Sequence, residues 1–74
     1  MDTFAELIEQ AGGPGTVARV CHTHRSTPGQ WARRGNIPPE HWRALRAHLA
    51  GRGVWVEWGD LVTLAERSAR ERAA

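Results

Sequence analysis

Lysine is absent from this 74-residue chain, and all ten basic side chains are arginine. A guanidinium fork suits phosphates and guanine edges better than an ammonium does, but the codon usage of a GC-rich genome explains the missing lysine equally well. A single cysteine, Cys21, excludes an internal disulfide and fits a reducing cytoplasm. No apolar run approaches the ~20 residues needed to cross a bilayer, and Met1-Asp2-Thr3-Phe4 carries no signal-peptide pattern. Paired carboxylates and nucleophile–base spacings are also missing, and so short a chain has little room for a substrate pocket, so an enzyme is not expected. Cys21, His22 and His24, with His41 and His48, lack the C-x2-C half of a zinc site, and no metal or cofactor is expected. Internal repeats and low-complexity linkers are absent too. The length allows one domain, read as residues 1–66, followed by a charged, alanine-rich tail over 67–74 that is expected to fray.

What is present is an uneven distribution of charge. Residues 1–15 carry Asp2, Glu6 and Glu9 and no basic side chain. Residues 16–52 carry Arg19, Arg25, Arg33, Arg34, Arg43, Arg46 and Arg52 against Glu40 alone, a local charge of +6. Residues 53–74 are close to neutral. A basic block confined to the middle of a small domain is the footprint expected of a phosphate-binding face.

Hydrophobic periodicity predicts an all-α bundle of four to five short helices. Thr3 and Glu6 form a capping box for a first helix over Thr3–Ala11, with Phe4, Leu7, Ile8 and Ala11 inward and Gly12-Gly13 as its stop. Pro14 opens a second helix to Cys21, with Val17, Ala18, Val20 and Cys21 inward. A third, short helix carries Trp31 inward and ends at Gly35, followed by an extended Asn36-Ile37-Pro38-Pro39 connector. A fourth runs from Pro39 to Ala50, closed by Gly51, with Trp42, Leu45 and Leu49 as its buried stripe. Val54-Trp55-Val56-Glu57-Trp58 reads either as a short strand or as an extended lead-in to a last helix from Gly59 that buries Leu61, Leu64 and Ala65.

Two short helices joined by a turn, the second flanked by arginines, predict a helix-turn-helix over Thr16–Arg34. The stretch Val17-Ala18-Arg19-Val20-Cys21 and the string Trp31-Ala32-Arg33-Arg34-Gly35-Asn36-Ile37-Pro38-Pro39-Glu40-His41-Trp42 resemble the YdaS/Cro-like regulators of phages and prophages. That resemblance implies a lambda-repressor/Cro-like fold that binds double-stranded DNA as a transcriptional regulator, a repressor, at the nucleoid of a bacterial host cell. It places the turn and recognition helix on His22 to Trp31, so that Arg25, Ser26, Thr27 and Gln30 become candidate base-edge contacts and His24 a further candidate for DNA contact. Arginine takes guanine O6/N7 and glutamine takes adenine N6/N7. Arg19, Arg33 and Arg34 are better placed for phosphates. Trp31, Ile37 and Trp42 position the helix without touching DNA. An interaction adaptor built on the same helices is the alternative, since fold does not fix function.

Two residues depart from the family pattern: His22 stands where a turn glycine is usual, and Pro28 where a Val-like core residue is usual. A helix begun near His24 would put Pro28 in its interior, at a cost of about 3 kcal/mol. With Thr27 as N-cap, Pro28 falls instead at the first helical position and Gln30 completes a Thr-x-x-Gln capping box. The reading therefore predicts a recognition helix from Pro28 to Arg34 behind a longer loop over His22–Ser26. Of the two tryptophans near the end, one is expected to fill the core beside Leu61 and Leu64. The other, Trp55, is expected to be partly exposed and to support a weak homodimer.

Overall fold

A computed structural model describes residues 2–73. Among them the chain forms five α-helices, α1 (Phe4–Gln10), α2 (Pro14–Cys21), α3 (Thr27–Arg34), α4 (Trp42–Gly51) and α5 (Trp58–Ala73), with a 3₁₀ turn over Pro39–His41 before α4. The all-α bundle is as expected from the periodicity. α3 packs against α1 and α2, and α2 packs against α4.

Each start and stop has a local cause. Thr3 caps α1, its hydroxyl accepting from the Glu6 amide at 3.1 Å, and the Glu6 carboxylate reaches back to the Asp2 amide at 3.0 Å. Pro14 begins α2, where its missing N–H costs nothing. The end of α1 is stapled by α4: His48 Nε2 donates to the Ala11 carbonyl at 2.8 Å, and Arg52 Nε donates to the Gln10 carbonyl at 3.1 Å. Carbonyls that a helix end leaves without partners are thereby satisfied.

The core collects Phe4, Leu7, Ile8, Ala11, Val17, Cys21, Trp31, Ile37, Trp42, Leu45, Leu49, Val56, Leu61 and Leu64, all buried. Trp42 stacks on Phe4 with 6.3 Å between ring centroids, and Trp31 lies 5.1 Å from the His41 ring. Both separations lie in the range that aromatic ring pairs favour.

Three expectations need correction, and one open alternative is resolved. Of the two readings of Val54 to Trp58, the lead-in is the one that forms: among the described residues there is no strand, and Val54 to Glu57 runs without regular structure into α5. The core position beside Leu61 and Leu64 goes to Val56 and to neither tryptophan, since Trp55 is 78% and Trp58 45% exposed. Gly51 does not close α4. The helix includes it, and the left-handed turn falls on Gly53 at φ 82°, with the Val54 amide donating to Leu49. Pro39 opens a 3₁₀ turn and not the α-helix, which begins at Trp42. The tail read as beginning at residue 67 is helical in α5 as far as Ala73. Arg67 Nη1 donates to the Asp2 carbonyl at 3.1 Å, and Ser68 lies against Gly35.

Candidate nucleic-acid interface

The candidate residues fall on α2, on the turn over residues 22–26 and on α3. α2 ends in a left-handed residue, His22, at φ 55° and ψ 46°. Around it the Thr23 amide donates to the Ala18 carbonyl at 3.0 Å and the His22 amide to Arg19 at 3.3 Å. This is the six-to-one and five-to-two pattern that normally uses glycine at its left-handed position. His22 therefore performs the backbone task usual for glycine, at the steric cost of a Cβ.

The turn is held by His24. Its Nδ1 accepts from the Ser26 amide at 3.2 Å and lies 2.8 Å from the Ser26 hydroxyl. The His24 carbonyl accepts from the Thr27 amide at 3.0 Å, which closes the turn directly into α3. Because Nδ1 accepts the amide, its other ring nitrogen carries the proton. Arg25 is exposed at the tip of this turn.

α3 is as short as Pro28 requires, but its register is one residue earlier than expected. Ser26 is the N-cap and Thr27 the first helical residue, so Pro28 stands second. The Thr27–Gln30 capping box does not form, because the Gln30 amide goes to the Ser26 carbonyl at 3.3 Å and no side chain caps the helix. Pro28 costs no hydrogen bond here, since the carbonyl four residues back, that of His24, already serves Thr27. Its ring is fully buried and fills the place of the expected aliphatic core residue.

Burial of Pro28 and Trp31 fixes which way α3 faces. At 100° per residue, Ser26, Gln30, Arg33 and Arg34 share the opposite side, and all four are exposed. Thr27 sits at the edge of that face and is half-buried. Arg19 is exposed on α2, with Nη2 3.4 Å from the Thr16 hydroxyl. The structure thus puts His24, Arg25, Ser26, Gln30, Arg33 and Arg34 on the turn and outer face of one short helix, with Thr27 bordering it. The ion pairs formed among the described residues are Glu40–His41, Arg46–Glu57 and Asp2–Arg67, so none takes Arg19, Arg25, Arg33 or Arg34.

The rest of the basic block divides. Arg46 donates to the Val56 carbonyl at 2.7 Å and lies over the Trp58 ring at 4.9 Å, anchoring the lead-in to α5. Arg52 is bound to α1. These two structural roles leave no trace in composition, because a long-range carbonyl partner has no sequence signature. Cys21 is buried, and desolvation pushes its thiol above the ordinary range. No helix among the described residues is long and apolar enough to cross a membrane. No protein-family model matches the chain, and no curated protein or solved structure matches it.

Proposed function

We propose that the chain binds double-stranded DNA as a small Cro-like transcriptional regulator, with α2, the His24 turn and α3 acting as a helix-turn-helix. The observation that carries this reading is the outer face of α3. Two arginines without acidic partners, a glutamine and a serine stand together there, behind a turn that presents Arg25. On this reading Arg33, Arg34 and Arg19 meet phosphates and supply affinity, while Arg25 and Gln30 meet base edges and supply selectivity. A helix of eight residues presents only two turns, so few bases are read and the backbone term dominates. The setting proposed is the cytoplasm of a bacterial host, with repression as the regulatory outcome.

The test is a titration of labelled duplex at two salt concentrations. Removing Arg33 and Arg34 together should weaken binding to every sequence and flatten the log–log salt slope by about two. Gln30→Ala should instead cost about 1–3 kcal/mol on preferred sites alone and leave random duplex unaffected. If the double variant binds as tightly as the parent, α3 is not the DNA face. If the parent shifts no duplex at low salt, the adaptor reading replaces this one.

A further inference from the structure

The ring of His24 is held by its own chain. Nδ1 accepts from the Ser26 amide two residues on, at 3.2 Å, and the Ser26 hydroxyl stands 2.8 Å from the same atom. Asparagine and aspartate make this contact in turns through a side-chain oxygen, and a histidine Nδ1 stands the same number of bonds from Cα. The His24 carbonyl is engaged as well, accepting from the Thr27 amide at 3.0 Å and the Thr23 hydroxyl at 3.4 Å. Side chain and backbone of this residue are thus both tied into the turn that leads to α3, although the residue is exposed.

That hold sets what the rest of the ring can do. With Nδ1 turned onto the Ser26 amide, Nε2 lies across the ring, faces away from the turn, and has no hydrogen-bond partner among the described residues. The proton of the neutral ring sits there, so His24 presents one N–H donor outward. We infer that His24 is a specificity-determining residue whose Nε2–H donates to the N7/O6 edge of a guanine in the major groove. This role rests on the DNA-binding function proposed above, in which Arg25 and Gln30 meet other base edges.

A lone donor needs an acceptor, and the bases differ in what they offer it. Guanine sets two acceptors side by side, adenine puts an amino group beside its one, and cytosine presents an amino group. Thymine has a single acceptor next to a methyl group, so guanine rewards a donor over the widest range of aim. A phosphate is the poorer partner, because a neutral ring gives it none of the charge neutralisation that the neighbouring arginines supply. Preorganisation favours His24 over its neighbours. Arg25 and Gln30 must order several free torsions to reach a base, whereas the two torsions of His24 are already set in the free chain.

Long-range proton–nitrogen NMR of the free chain at pH 8 should show the His24 ring protonated at Nε2, and a ring protonated at Nδ1 overturns the inference. For the contact itself, a duplex selected from a random pool is altered one base pair at a time and titrated with the parent and with His24→Asn. The asparagine Oδ1 can take over the Ser26 amide, so the turn is kept and the outward donor is lost. The parent should lose about tenfold in affinity when one particular G·C pair is replaced. His24→Asn should bind the intact duplex about tenfold more weakly and be indifferent, within about twofold, to that same replacement. Equal selectivity of parent and variant at every G·C pair overturns the inference and leaves DNA binding standing. So does a variant weakened by one factor on all duplexes, the mark of a phosphate contact or of a ring that only shapes the turn. A parent that shifts no duplex overturns this role together with the function it rests on.

Discussion

The Trp42 indole N–H donates to the Ile37 carbonyl across 2.8 Å of buried space. A ring at the start of α4 thereby fixes the backbone of the connector that leaves α3, and the proline after Ile37 stiffens the same corner. Trp42→Phe keeps most of the packing but leaves that carbonyl without a partner. Its expected cost is about 1–3 kcal/mol in denaturant unfolding, and a loss under 0.5 kcal/mol would show that water reaches the carbonyl.

Gly35 ends α3 in the left-handed conformation, at φ 71°, and a Cβ placed there would stand 2.7 Å from Ser68 Oγ. Gly35→Ala therefore meets two penalties, backbone strain of about 1–2 kcal/mol and a clash with α5. Ser68→Ala removes the clashing oxygen and should remove the second penalty only. A double-mutant cycle should show Gly35→Ala costing less in the Ser68→Ala background, by at least 0.5 kcal/mol. Strict additivity would mean that α5 yields freely at this point.

His22 is the one left-handed residue in the described structure that is not glycine. His22→Gly removes the Cβ strain at the expense of a more flexible unfolded chain, for a net gain of up to about 1 kcal/mol. His22→Val, branched at Cβ, should lose about 1–2 kcal/mol. Thermal unfolding of the pair reads out the sign directly, and equal stabilities would place this turn elsewhere than φ 55°.

Burial raises the Cys21 thiol above its ordinary range, which favours the neutral form in the folded state. The resulting stability is fully present at pH values below the titration of an unfolded cysteine. It is lost as pH rises through that range toward the raised folded value. Cys21→Ala should flatten this alkaline limb, and at pH 8 the parent thiol should react with a disulfide reagent only as fast as the domain opens. Labelling at the rate of a free thiol would contradict the burial.

Much of this architecture is legible in the residues themselves. The stripes Phe4-Leu7-Ile8 and Trp42-Leu45-Leu49 are buried as their spacing predicts, and α3 ends at Gly35 as expected. Pro28 keeps α3 short, as its place in the sequence predicts. The register slipped by one because Ser26 and Thr27 are both good caps. The choice between them rests on His24, whose ring engages the serine hydroxyl and amide and whose carbonyl closes the turn on Thr27. The 54–58 segment left two readings open for a different reason. Strand propensity describes a fit to neighbouring strands, and Val54 to Glu57 has none, so it serves as the lead-in to α5 and delivers Val56 to the core. For the candidate site, periodicity correctly sends Gln30, Arg33 and Arg34 outward. It is blind to Arg46 and Arg52, whose carbonyl partners lie 10 and 42 residues away along the chain.

The closeness of Ser68 to Gly35 gives the fold a mechanical property. α3 terminates against a side chain of α5, so the turn at Gly35 and the seating of α5 share a point of contact. A side chain enlarged at residue 35 is therefore felt by α5 as well as by the end of α3, and one serine hydroxyl carries the push from one helix to the other.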